Sequence, residues 1–500
     1  MDRNPFSDLE AVAAMPGLEE LADVFSDFLQ DGRGSRAEWV SMLVFLAGRW
    51  AIGSANTCSS TFMATPVWDY LRESAARVGR ELSVAPPTFD KLRHLREATG
   101  EGFADALAEA VAEVAVPLAQ SMGLLDPAVS SPWHRPAPGR VIYGDGTVFT
   151  ALSDVSVDHN GEVQGSRAVR SPRLAHRFEG KGGPREQTGL PIAMVGCHGR
   201  QRWQRVILGL QLFRDANEIG ASLGLFDQII AQAGGGVSHV VYDRLMSGSH
   251  IRRLMKTGVL PVVAMPEAAK NHAHVNLPVE LQRAGYSSAG VREKRKGKGA
   301  RRRSADKTAP KARLKIHQLQ LVTHQVGSRA CVHELWAMDG AVVAVIPGDQ
   351  PSINATYVEC VDLRWEHRID GWHPIGRLRV PCSAGALDVE IDFAADRKGR
   401  NQRKEPFALA DWVRPVNEST PYSDRVEGLR SDSESVFSWL KAMLPRERAS
   451  SLNPSHFLLD LVGAVLLNNA VAWDVHVAQH TACAQHEHKL ISRRRLRAVA

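Results

Sequence analysis

Asp145 lies in Tyr-Gly-Asp-Gly-Thr, at the end of an apolar run, and a glycine on each side leaves room for a group to approach its carboxylate. Asp243 closes the apolar run Val-Val-Tyr-Asp. If that run is a strand of an open α/β sheet, Asp243 stands at the carboxyl edge, where ligands usually bind. Farther along, Arg430, Glu434 and Lys441 are spaced by four and seven residues. At ~100° per residue the three fall within roughly 40° of one another on one helix face, while Val436, Leu440 and Met443 cover another sector that can pack on a sheet. Three carboxylates in this order suit phosphodiester cleavage, in which two divalent cations ~3.5–4 Å apart activate the attacking oxygen and stabilise the leaving one. Mg²⁺ and Mn²⁺ prefer such hard oxygen ligands. Taken singly, an Asp after a strand is most often a turn or cap residue, and an Arg/Glu/Lys face is usually an ordinary solvated one. The reading rests on all three acids falling in order on suitable elements.

The elements that must position them follow from hydrophobic periodicity. Arg140–Phe149, Gly189–Cys197 and Gln204–Phe213 read as three strands. A helix over about Glu218–Ala233 is stopped by Gly234–Gly236, and Val237–Asp243 is a fourth, buried strand. Ser-Gly-Ser-His-Ile-Arg-Arg-Leu-Met-Lys-Thr-Gly then reads as a short helix with Ser247 as N-cap and Gly258 as its stop, before a fifth strand over Val259–Met265. Three strands, a helix, a strand, a helix and a strand predict an α/β domain. Before it, from about Leu18 to Leu125, apolar residues recur at three and four, which predicts an all-α segment. That segment has room for a helix-turn-helix reading DNA and reads equally well as plain helical packing. After the fifth strand, Arg292–Lys315 holds twelve Lys or Arg against Glu293 and Asp306, a composition that predicts disorder. Strand-like runs follow: Ala330–Met338, Ala341–Pro347, Thr356–Trp365 and Ala386–Phe393. Helices are expected at about Asp432–Leu444 and Ser455–Val475.

The whole chain sets wide bounds. Five hundred residues imply two or three domains. With 44% hydrophobic and 23% charged residues and a formal charge of +6, the composition is that of a globular protein and permits a polyanionic partner without demanding one. Cys58, Cys197, Cys331, Cys360, Cys382 and Cys483 form no C-x-x-C pair, which argues against a zinc ribbon or thioredoxin-like site and suits a reducing cytoplasm. The start, MDRNPFSDLEA, lacks the basic and apolar runs of a secretory signal. The apolar stretches near residues 40 and 460 are short or interrupted by Asp and Asn, so they read as buried helices rather than membrane spans.

These motifs resemble those of DDE-type transposases of bacterial insertion sequences. That family has a first Asp in a strand as D-G-T or D-x-T, a second after an apolar strand, and a third acid on a late helix in Y-x2-R-x3-E-x6-K. Here they correspond to Gly-Asp145-Gly-Thr, Val-Val-Tyr-Asp243, and Arg430, Glu434 and Lys441. The tyrosine position falls on Glu427, with Tyr422 five residues earlier. The resemblance spans roughly Arg140 to Ala472 and is closest to a subgroup with a β-rich insertion between the second Asp and the Glu. It implies a ribonuclease-H-like core, in whose sheet the first and fourth strands are neighbours. The implied layout is a helical, DNA-binding or packing domain over 1–129, the first part of the core over 130–266, and an insertion of basic tract and strands over 267–405. The second part of the core, with the Glu helix, would follow over 406–480, and a basic tail over 481–500. The implied activity is cleavage and strand transfer at element ends by Asp145, Asp243 and Glu434 holding Mg²⁺ or Mn²⁺. Arg430 and Lys441 would grip phosphates. The partners would be element-end and target DNA and further copies of the chain, with no membrane, in a bacterial cytoplasm at the nucleoid. Trp365 and Trp372 read as core residues of the insertion or as stacking platforms for an unpaired base. His476, His480, Cys483, His486 and His488 read as a frayed terminal run or a metal site. A nuclease without strand transfer, and a transposase-derived protein that binds DNA without cutting, fit the same residues.

Overall fold

The computed structural model describes residues 4–29, 34–132, 136–150, 178–180, 183–185, 189–201, 203–213, 217–243, 246, 248–263, 316–338, 341–347, 356–394, 430–444, 448–449, 451 and 453–498. The chain is mixed α/β and divides into two compact units. The first comprises Met1–Pro132, Pro136–Val240 and Leu429–Ala500; the second comprises Trp133–Arg135 and Val241–Gly428.

Among the described residues the N-terminal segment carries helices and no strand: α1 (Pro5–Ala14), α2 (Leu18–Phe28), α3 (Arg36–Ala51), α4 (Ala55–Met63), α5 (Thr65–Arg77) and the long α6 (Phe89–Ser121). Local chemistry sets the ends. Ser35 and Glu38 form a capping box at the start of α3, and Thr88 caps α6. Ten residues of α3 are buried, as its apolar run predicts. The core strands are β1 (Val141–Thr150), β4 (Gly189–His198), β5 (Arg205–Leu212), β6 (His239–Tyr242) and β7 (Leu260–Val263), with a small hairpin, β2 (Phe178–Gly180) and β3 (Gly183–Arg185), between β1 and β4. They form a sheet of order β5-β4-β1-β6-β7, in which β4 pairs antiparallel with both β1 and β5. Helix α7 (Glu218–Gln232) follows β5 and α8 (Gly248–Lys256) follows β6. Gly234 and Gly235, both at positive φ, close α7, and Gly258 at φ +84° follows α8. Ser247, the expected cap of α8, lies outside the described residues.

In the second unit the segment between β7 and the late helices makes two antiparallel sheets. One has the order β11-β10-β9-β8, from β8 (Ile316–Val326), β9 (Arg329–Met338), β10 (Ala341–Val345) and β11 (Thr356–Tyr357); the other has the order β12-β13-β14, from β12 (Glu359–Arg368), β13 (Gly371–Val380) and β14 (Leu387–Asp392). The basic tract Arg292–Lys315 lies outside the described residues.

Two late helices return to the first unit: α9 (Arg430–Met443) and α10 (Pro454–Ala498). The stretch 481–498, read from sequence as a tail, is a continuation of α10. By length and composition Pro454–His480 could cross a membrane, but 72% of that window is buried inside the protein. Much of that cover comes from the N-terminal helices, since α10 packs on α1, α3, α6 and β5. Segment 1–129 lies in the same compact unit as β1, β4 and β5. Asp460 of α10 is 2% exposed and pairs with both Arg49 of α3 and Arg96 of α6, while the Trp50 indole donates to the Asp460 carbonyl at 2.6 Å. Asn469 serves the opposite neighbour. Its side chain accepts from the Ile207 N–H at 2.9 Å and donates to the Ile207 carbonyl at 2.8 Å, so it occupies backbone groups of β5 at the sheet edge.

Candidate active site

Strand β1 presents two faces that alternate residue by residue. On one, Gly144 and Gly146 lie under α7. A Cβ on Gly144 would sit 2.5 Å from the Phe226 ring, and one on Gly146 would sit 2.2 Å from the Glu218 carboxyl carbon. Both glycines of Gly-Asp-Gly are therefore required by helix-to-strand packing. On the other face stand Tyr143, Asp145, Thr147 and Phe149. Asp145 is half-buried, and its Oδ1 accepts from the Gly146 N–H at 2.9 Å.

That second face meets α9. The Lys441 ammonium donates to Thr147 Oγ1 at 2.7 Å and lies 5.6 Å from the centre of the Phe149 ring. Phe437 packs edge-on to Phe149 at 6.5 Å, and Val436 and Phe437 share a small cavity with Tyr143, Met194, Gly196 and Ile207. Going around the helix at ~100° per residue, Glu434 and Lys441 lie on one flank, about 160° and about 140° from Val436 respectively. Since Val436 points toward β4 and β5, Glu434 lies on the flank turned away from those strands. It is solvent-exposed. Phe437, Leu440 and Leu444 fill the buried sector with Val436, whereas Met443, expected there, is 41% exposed. The sector is centred nearer Phe437 than the sequence pattern suggested, because the Phe149 ring gives Phe437 a partner.

Arg430 is the first residue of α9. Glu427 and Tyr422, the neighbouring positions weighed for the late motif, lie outside the described residues. Asp243 follows the last residue of β6 directly, is half-buried, and belongs to the second unit. Asp145, Glu434 and Lys441 are thus carried by packed elements of one unit, and Asp243 by the other. The three carboxylates match Mg²⁺ or Mn²⁺ in donor type. Among the described residues, however, no group of three or more His, Cys, Asp or Glu is arranged to hold a metal ion.

Glu218 is a further acid, packed beside Gly146 of β1, that sequence reasoning missed. It is the first residue of α7, capped by Asn217, whose side chain accepts from the Gly220 N–H at 3.1 Å. Its sequence signal is an ordinary acid in a first helical turn, and only the packing of α7 on β1 brings it against Gly146. Trp365 and Trp372 are structural in this arrangement. Trp365 is 8% exposed, and the Trp372 indole donates to the Gly258 carbonyl at 2.7 Å. Of the terminal His/Cys run, His476 and His480 pack at a tilt with ring centres 3.9 Å apart, and Trp473 and Trp203 flank His476. The side chains of Cys483, His486 and His488 lie outside the described residues.

No protein-family model matches the chain, and no curated protein is significantly similar to it.

Proposed function

We propose that this chain is a DNA transposase of the DDE type, cutting and rejoining phosphodiesters at the ends of a mobile element with Asp145, Asp243 and Glu434 as its acids. The observation that carries the reading is the hydrogen bond from Lys441 to Thr147. It joins the Gly-Asp-Gly-Thr strand to the Arg-x3-Glu-x6-Lys helix across 294 residues of sequence. Chance matches to two short motifs have no reason to pack on each other, with Asp145 and Thr147 on the one face of β1 that α9 covers. The order β5-β4-β1-β6-β7, with helices after β5 and β6, further supports a ribonuclease-H-like core, and the two antiparallel sheets before α9 fit an insertion.

In this reading the residues divide the work. The Gly146 N–H donates to Asp145 Oδ1 and fixes the carboxyl group's orientation. Lys441 holds the Glu434 helix against β1. Mg²⁺ or Mn²⁺, when bound, would supply the charge that activates a water or a 3′-hydroxyl and stabilises the leaving oxygen. DNA and further copies of the chain are the proposed partners, and Arg430 and the basic tract 292–315 the proposed phosphate contacts.

The test is Mn²⁺- and Mg²⁺-dependent cleavage and strand transfer on DNA taken from the flanks of the gene. Asp145→Asn, Asp243→Asn and Glu434→Gln are each expected to abolish cutting while DNA binding survives, and Glu427→Gln to retain most of it. Cutting without joining would make the protein a nuclease. DNA binding with no cutting under either metal would leave a DNA-binding protein derived from a transposase. Wild-type cutting by the Glu434→Gln variant would show the late motif to be in the wrong register.

A further inference from the structure

Independently of the proposed transposition chemistry, we propose that His324, Cys331 and His333 bind a borderline divalent metal, zinc by preference, that staples the outer half of the β8–β9 hairpin. The antiparallel register sets His324 directly across from Cys331, and Val322 across from His333. Cys331 and His333 are two apart on one strand, so all three side chains share a face, with the two histidines on the diagonal that long side chains span. The Nδ1 of His324 and the Nε2 of His333 are both shut off from solvent with no hydrogen-bond partner. Buried polar atoms in folded proteins are normally satisfied, and an exception calls for an unrecorded partner.

The hairpin also needs such a staple. Strand β10 covers β9 only from Glu334 to Met338. Beyond Glu334 the ribbon, among the described residues, is β8 and β9 alone, closing at Gly327 with φ +62°. A two-stranded ribbon is marginal by itself. Its other face offers little packing, since Leu321 is 61% and Val332 38% exposed. Two imidazoles and a thiolate are the ligand set of zinc rather than of Mg²⁺ or Ca²⁺. Three protein ligands leave the fourth tetrahedral position to water. As they stand, no three ligating residues among those described are arranged around a common point, so closure requires side-chain rotation between staggered wells.

The experiment uses the full chain, stripped with chelator, in a background of His476→Gln, His480→Gln and Cys483→Ser so that the C-terminal run does not compete. Titration with Co²⁺ is expected to give a thiolate-to-cobalt charge-transfer band at one equivalent, which Zn²⁺ displaces. Cys331→Ser removes that band. His324→Gln and His333→Gln each weaken binding by at least tenfold, on the order of what even a supporting residue contributes to a metal site. Zinc should also slow amide exchange across 316–338 in the parent, a readout that needs no variant to fold. The proposal is overturned by the absence of a band, by a band that survives Cys331→Ser, by unaltered affinity in the His324→Gln/His333→Gln double variant, or by unchanged exchange in the parent on adding zinc.

Discussion

Removing the Lys441 ammonium tests whether the late helix is held on the Gly-Asp-Gly-Thr strand by the contact that carries the functional reading. Lys441→Met keeps most of the aliphatic stem and deletes the charge; Thr147→Val keeps the shape and deletes the hydroxyl. A hydrogen bond involving a charged group is worth roughly 1.5–3 kcal/mol. Both residues are only half-buried, so water competes and the lower end applies. The ammonium's position 5.6 Å from the Phe149 ring centre adds about 0.5–1 kcal/mol. The expected cost of Lys441→Met is therefore about 2 kcal/mol, that of Thr147→Val about 1.5 kcal/mol, and the two should share about 1 kcal/mol of coupling. A chain of two compact units has no single unfolding free energy to measure, so the assay is amide exchange across 434–443. At about 1.4 kcal/mol per factor of ten, protection should fall at least about tenfold in either single variant. Met443→Ala, at an exposed position of the same helix, should leave it unchanged. Effects that add within about 0.3–0.5 kcal/mol would refute the contact. DNA binding then separates two uses of the same ammonium. If Lys441 exchanges Thr147 for a phosphate, Lys441→Met makes the log–log salt slope shallower by about 0.9 and Thr147→Val leaves it alone.

Other outcomes follow from the same packing. Gly146→Ala places a methyl group 2.2 Å from the Glu218 carboxyl carbon; overpacking of this kind costs about 1–3 kcal/mol, and Glu218→Ala in the same chain should restore α7 protection measured by exchange. Asp460→Asn leaves Arg49 and Arg96 buried without a counter-charge, a loss of about 3 kcal/mol that should lower exchange protection of α3 and α10 by about a hundredfold. His456 beside this cluster is held below the usual histidine pKa by burial and by Arg96, with Asp460 and Glu97 opposing. The unfolded chain therefore takes up the proton first, and stability falls as pH drops below about 6.5; His456→Gln should flatten that loss in a denaturation series across pH 7 to 5. Deleting 292–315 should weaken binding to specific and random duplexes alike and reduce the salt slope, and an unchanged slope would make the tract a spacer.

Where a residue's neighbours in sequence dominate its conformation, the sequence was sufficient. The core strands are runs of Val, Ile and Leu ended by glycine or polar turns, so β1, β4, β5, β6 and β7 appear within one to two residues of their sequence-based bounds. The helices of that region have local caps and stops, and α7 ends at the predicted glycines. The buried character of α3 and of Pro454–His480 follows from apolar runs too short, or too interrupted by Asp and Asn, for a membrane span. Strands whose pattern is mixed did not show. Strand β8 is half His and Gln, and β13 contains Pro374, which argues against a central strand. Yet β13 lies between β12 and β14, with the Pro374 carbonyl accepting from the Phe393 N–H at 2.9 Å.

Sequence alone determined which residues are candidates: the acids at 145, 243 and 434, the glycines around the first, and the lysine seven after the last. Those are statements about residue type and short-range spacing, and both survive in any conformation. Tertiary structure decided which of them meet. It set Thr147 under Lys441, turned Phe437 rather than Met443 to the sheet, and brought Glu218 against Gly146. It also locked the N-terminal helices to α10 through Asp460. None of these has a local signature, because each pairs residues tens to hundreds of positions apart. The choice among possible partners was made by apolar burial and by the need of every buried charge for a counter-charge.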